Sequence, residues 1–130
     1  MNDAAGHLAK ARDNIGFARY ALAGEYFEEA GRSAYMAAYH AALAFIVGCG
    51  GKAPKTHSGV RSEFARLARG EMRIGRAQVA LLGWSYELKN AADYGQEHAV
   101  SLAVAERAID EASQLIETIA TIVRPTGGGN

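Results

Sequence analysis

A chain of 130 residues can bury one core but hardly two, and its 49% apolar content is ordinary for a globular protein. Its 14 Lys and Arg are matched by 14 Asp and Glu, so net charge supplies no general attraction to nucleic acid or membrane. Cys49 is the only cysteine, which excludes an internal disulfide and a cysteine-built metal site and points to a reducing, cytoplasmic setting. Residues 1–10 lack the apolar core of a signal peptide, and no stretch reaches bilayer-spanning length, so no membrane partner is expected.

The first element is a helix. Leu8, Ala11, Ile15, Ala18 and Leu22 step alternately by three and four, which places them on one helical face, and Gly24 is positioned to close it. The second repeats the alternation through Phe27, Ala30, Ala34, Ala37, Ala41 and Ala44. So many alanines let neighbouring helices approach closely, which predicts a central helix. A break crowded with glycine, from Gly48 to Gly59, is longer than the usual connection between bundle helices.

A third helix is expected over 60–69, and a fourth over about 74–94 with Leu81, Ser85, Leu88 and Ala92 on one face. Gly95 marks a further break. The last helix carries Leu102, Ala105, Ile109, Ala112, Ile116, Ile119 and Val123 before Pro125 and the terminal glycines. Two prolines and no alternating β-branched run leave no room for a sheet. The expected fold is all-α, an up-and-down bundle of four to five helices, with one domain over 1–124 and a flexible Gly-rich tail over 125–130.

Charge is uneven beneath its neutral sum. Between Lys52 and Arg76 seven basic residues face Glu63 and Glu71, a balance of plus five that the rest of the chain offsets. Such a dipole can bring partners together, and its basic end can meet phosphates, although solvated helix faces explain a charge run equally well. At the loop exit, Thr56 or Ser58 can cap the following helix. With Lys55, His57 and Arg61 nearby, the free backbone N–H groups make an anion or RNA site, or the cap alone.

None of the four histidines, His7, His40, His57 and His98, stands at metal-ligand spacing from another. The motifs of nucleophilic catalysis and of P-loops are absent, so neither a metal nor a cofactor is expected. Lys89 and Asp93, four apart, form an intrahelical ion pair or line a cleft. Tyr35 and Tyr39 pack or stack bases, and His40, on the alanine-rich face, reads as a hydrogen-bonded core histidine. Trp84 and Tyr86 are expected to pack and Cys49 to fill space.

Three stretches carry more together than apart: Ser33-Ala34-Tyr35-Met36-Ala37-Ala38-Tyr39-His40-Ala41-Ala42, Pro54-Lys55-Thr56-His57-Ser58-Gly59-Val60, and Lys89-Asn90-Ala91-Ala92-Asp93-Tyr94. Their order and spacing resemble the HEPN domains of small bacterial and archaeal proteins, in particular the stand-alone branch often paired with a minimal nucleotidyltransferase. The resemblance runs from about Ala4 to Val123. It implies a homodimer and a place in a toxin–antitoxin or defence module. In active relatives it implies metal-independent RNA cleavage by an arginine and a following histidine near the start of the last helix.

This chain departs from that motif. No arginine precedes a histidine at the family's spacing; Arg32 and His40 have seven residues between them and lie in another helix. Where the motif is expected, Lys89 stands for the arginine and Tyr94 for the histidine. Lysine can neutralise a phosphate without the bidentate fork, while a phenol is a poor general base near neutral pH. The function these residues imply is binding of RNA, a nucleotide or a nucleotidyltransferase. One alternative is an endoribonuclease toxin with a divergent site, built on Lys89, Asp93 and Tyr94 or on His40 and His57. A second is a purely structural interaction module.

Overall fold

The computed structural model describes residues 3–94 and 100–123. The break at Gly95, His98 and the tail over 125–130 lie outside the described residues. Five helices follow in order: α1 (Asp3–Ala23), α2 (Phe27–Gly48), α3 (His57–Ala68), α4 (Arg76–Asp93) and α5 (Leu102–Ile122). Among the described residues there is no strand, and no helix is long and apolar enough to cross a membrane.

Helix α2 is the axis of the bundle and packs against all four others. Its alanines at 30, 34, 37, 38, 41, 42 and 44 are at most 1% exposed. With only a methyl group at each, partner backbones can come to the near end of the usual 8–10 Å helix separation. The stripe expected on α4 is inward as predicted, with Leu81, Ser85, Leu88 and Ala92 all buried. Ser85 meets its burial by donating to the Leu81 carbonyl at 2.6 Å. On α5 the stripe from Ala105 to Ile119 is buried, but Leu102, the first helical residue, is 48% exposed. Cys49 is likewise exposed at the end of α2 and fills no core space.

Cross-helix contacts fix the directions. His7 meets His40, Arg12 meets Glu117, and Arg32 meets Asp93, so α1 and α4 run one way and α2 and α5 the other. Helix α3 breaks the alternation. Tyr35 and Tyr39 meet His57, while further along Phe45 meets Phe64 edge-on at 5.8 Å, which sets α3 parallel to α2. The glycine-rich connection over 49–56 is long because it must climb back along α2, from Gly48 to the level of Tyr39, about 14 Å at about 1.5 Å per residue. Val60, Phe64 and Ala68 then bury the inner face of α3.

Helices α1 and α2 both end in the same hydrogen-bonded turn. After α2, Gly51 N–H donates to Ile46 O and Gly50 N–H to Val47 O, with Gly50 at φ +92°. After α1, Tyr26 N–H donates to Ala21 O and Glu25 N–H to Leu22 O, and here the left-handed residue is Glu25, at φ 65°. Gly24 serves closeness instead, since the Tyr26 ring lies where a Cβ would meet it at 3.0 Å. A non-glycine residue in this region costs about 1–3 kcal/mol, against roughly 0.5–1 kcal/mol for the extra unfolded-chain freedom of glycine. Glu25→Gly is therefore expected to stabilise the fold by about 0.5–1 kcal/mol. Urea unfolding should show a higher midpoint at unchanged slope; a lower midpoint would refute the strain.

Candidate functional site

Three helix faces converge on one patch. On α2 the residues are Arg32, Tyr35 and Tyr39, and on α4 they are Tyr86, Lys89 and Asp93, each set on one side of its helix by steps of three and four. The third contributor is the start of α3. Its inward stripe of Val60, Phe64 and Ala68, followed back one step, arrives at His57. Thr56 caps this helix, its hydroxyl accepting from Gly59 N–H at 2.9 Å. A Cβ at position 59 would lie 2.9 Å from that oxygen and 3.1 Å from Pro54 Cβ, so the cap needs a glycine there.

His57 is the centre of the patch. Its ring lies 5.6, 4.8 and 5.4 Å from the centroids of Tyr35, Tyr39 and Tyr86, and its Nδ1 is hydrogen-bonded to the Tyr35 hydroxyl. Tyr35 is 2% exposed, and burial, with Tyr39 and Tyr86 beside it, pushes its phenol well up, so it stays protonated. Burial first and Lys89 second hold His57 below its ordinary value of 6.5, which leaves a neutral imidazole at pH 7. Tyr39, His57 and Tyr86 are half-buried and offer ring surface to solvent.

Two cations reach the same ring. The Arg61 guanidinium is 5.8 Å and the Lys89 ammonium 5.9 Å from the Tyr86 centroid, within cation–π range. Lys89 also pairs with Asp93 at 2.8 Å, and Asp93 takes Arg32 at 2.6 Å. Arg32 in turn sits 2.7 Å from Glu29 in an ion contact rather than an aligned hydrogen bond. The lysine and then the arginine, as hydrogen-bond donors, hold the Asp93 carboxyl below its ordinary value. Among the described residues, Arg61 has no carboxylate within ion-pair reach. The margin of the cluster is therefore positive.

The predicted site residues divide. Tyr35, Tyr39, His57, Arg61 and Lys89 come together, Tyr35 as a buried support and the others at the surface of the patch. Thr56 is the cap, and Lys55 and Ser58 are exposed beside it. Tyr94 ends α4, is 81% exposed, and its side chain makes no hydrogen bond or ring contact with the cluster among the described residues. His40 turns to α1 rather than to His57. Tyr86 and Arg32 were not among the expected site residues, although the stripe of Leu82, Tyr86, Lys89 and Asp93 on α4 contained the signal. Trp84 packs beneath Arg107, 4.3 Å from ring to guanidinium, away from the patch. Among the described residues, no three His, Cys, Asp or Glu side chains converge as a metal-ligand set would.

His40 and His7 form a second pair, with Nδ1 atoms 3.2 Å apart and rings stacked at 5.5 Å. One nitrogen must donate and the other accept, so full protonation of both breaks the bond. Burial above all, with Lys10 adding to it, holds His7 below 6.5; burial, then His7 and Lys10, does the same for His40. The unfolded chain thus takes up protons before the folded one, so stability is complete above pH 6.5 and declines as the pH falls below it. The carboxylates held low, Asp93, Glu63 and Glu71, act only beneath their ordinary values of 3.8 to 4.5. Thermal melts should therefore show a midpoint that falls as the pH drops below 6.5. A His7→Phe/His40→Phe variant, which keeps stacked rings, should reduce that slope and leave the share due to His57, also held below 6.5; an unchanged slope would assign the titration elsewhere.

Comparison with known proteins agrees with this assembly of motifs. No curated protein matches the chain. The family model of the HEPN domain matches residues 4–122, a span that takes in all three stretches that build the patch. The chain therefore belongs to the HEPN domain family.

Proposed function

We propose that this HEPN-domain protein recognises RNA or its nucleotide units at the patch formed by Tyr39, His57 and Tyr86. It acts as the binding component of a toxin–antitoxin-like or defence module, working as a homodimer with a small nucleotidyltransferase as its partner. The observation that carries the reading is the convergence of Arg61 and Lys89 on the Tyr86 ring beside His57. Two cations drawn to one ring repel each other, and among the described residues only Asp93, already shared with Arg32, offsets them, through Lys89. A phosphate between them removes that repulsion, and the half-buried rings offer faces on which a base can stack.

Fluorescence anisotropy with a labelled single-stranded oligonucleotide, titrated at several salt concentrations, tests the reading. Tyr86→Ala should weaken binding by about 1–3 kcal/mol, the usual worth of one stacked base. Arg61→Ala should reduce the slope of log affinity against log salt by about 0.7, one phosphate on a single strand. Binding that ignores both substitutions, or that shows no salt dependence, would overturn it. The partner is tested by co-expression with a neighbouring nucleotidyltransferase and recovery of a complex; recovery of this chain alone counts against that part.

A second reading, metal-independent RNA cleavage, is favoured by one further observation. The neutral His57 is held by the Tyr35 hydroxyl through Nδ1, which leaves Nε2 as the ring nitrogen available to exchange a proton with a substrate. If the patch cleaves, RNA degradation should persist in excess chelator, vanish in His57→Ala and survive Tyr94→Phe. Loss in Tyr94→Phe with His57→Ala still active would place the chemistry at the end of α4 instead.

A further inference from the structure

The hairpin of α3 and α4 extends the positive margin away from the tyrosines. Along α3 and onto Arg69, which ends it in helical conformation, Arg61, Ala65 and Arg69 follow one another at steps of four on a single stripe, while α4 contributes Arg76, Val79, Gly83 and Tyr86 to its facing side. The two helices are antiparallel. Arg61 lies beside Gly83, where a Cβ would stand 3.6 Å from its Cδ, and beside Tyr86; at the other end Ala65 and Ala68 share a cavity with Arg76 and Val79. That cavity, of about 400 Å³, has an apolar floor of Ala65, Ala68, Ile74 and Val79 and carries Arg69 and Arg76 on its wall. Neither arginine has a carboxylate within ion-pair reach among the described residues. The one carboxylate of the lining, Glu71, is engaged by Arg73 through its side chain at 2.8 Å and its backbone N–H at 3.0 Å.

We infer that a single RNA strand runs along this α3–α4 groove, from Arg61 and Lys89 at the tyrosine patch to a second phosphate site at Arg69 and Arg76, where the apolar cavity takes a base. The inference rests on the reading of the tyrosine patch as an RNA site and extends it from a nucleotide to a strand. The spacing suits such a ligand. Arg61 and Arg69 are eight residues apart on one helix, about 12 Å at about 1.5 Å per residue, which is three to four stacked steps of a strand at about 3.4 Å each. A small anion would occupy one end only, whereas a strand joins two cationic ends across an apolar and aromatic floor.

The test compares a labelled dinucleotide with a labelled octanucleotide of uridine at low salt. The octamer should bind at least about tenfold more tightly, because only it reaches both ends. Arg69→Ala/Arg76→Ala should bring the octamer to within about twofold of the dinucleotide. Arg12→Ala/Arg66→Ala removes the same formal charge from arginines already paired with Glu117 and Glu63, neither of which lines the cavity, and should keep the gain. Circular dichroism melts confirm that each variant folds. If the dinucleotide binds and length adds nothing, or if both double variants lose the gain equally, the strand path is wrong while the patch stands. If neither ligand binds, the patch reading falls and takes the path with it.

Discussion

The arrangement depends on how little side chain α2 carries where it meets its neighbours. Seven alanines at most 1% exposed let α1, α4 and α5 close around one helix, and beyond Phe27 at its first position the large aromatic rings on that helix are Tyr35, Tyr39 and Phe45. Those rings stand where α3 packs, on the side that the alanine contacts leave open. Filling the alanine positions would force the neighbours outward, since a well-packed interior resists even one added methylene. The same displacement would move α4 from α2 and so part Tyr86 from Tyr35, which are 5.5 Å apart. Packing at the centre and geometry at the patch are thus one constraint.

Electrostatics finish what packing begins. Arg32 and Asp93 tie α2 to α4 at the level of the patch, and Lys89 is drawn toward the same carboxylate from within α4. These side chains are about a third exposed, so solvent screens the pairs and their value lies in orientation more than in stability. Asp93 keeps the Lys89 stem along the α4 surface, where the ammonium overlooks Tyr86. Arg61 is free of that restraint and rests on Tyr86 from α3. The positive balance of residues 52–76 is therefore not spread evenly. Arg66 and Arg73 are spent on Glu63 and Glu71, while Arg61, Arg69 and Arg76 line one groove.

Much of this was legible in sequence. The period of 3.6 placed the alanines of α2 and the stripe from Leu81 to Ala92 correctly, because burial of a helical face is written in residue type alone. Thr56 was visible as a cap, though only backbone geometry chose it over Ser58. The direction of α3 was not legible: residue patterns describe faces, and a parallel neighbour follows from where the 49–56 loop delivers the chain. Without that direction His57 reads as part of a solvent-facing turn, yet it continues the inward stripe of Val60 and Phe64. Tyr86 packs against the core as expected, but its place on the patch was hidden for the same reason. Glu25 was beyond reach, since a left-handed turn ordinarily announces itself with the glycine that here stands one residue earlier. Leu102 fits the period but lies at a helix start that its neighbours do not cover.

The departure from the family's Arg–His motif gains a structural meaning. Lys89 and Tyr94, which the sequence resemblance sets against the motif's two positions, have different surroundings: Lys89 is drawn in by Asp93 and Tyr86, whereas Tyr94 stands in solvent at the end of the helix. Five residues along a helix turn the side chain through more than a full circle, so the two do not share a face. Within one chain, no hydrogen bond, ion pair or ring contact joins them among the described residues. If the patch cleaves RNA as proposed, proton transfer within a single subunit would fall to His57, the imidazole that among the described residues is bonded to a buried phenol and flanked by cations. Chemistry at Tyr94 calls on a cation beyond this cluster, and in the proposed homodimer the second subunit is the source that would bring one to that exposed ring. The two readings of the site are therefore separated by stoichiometry as well as by residue.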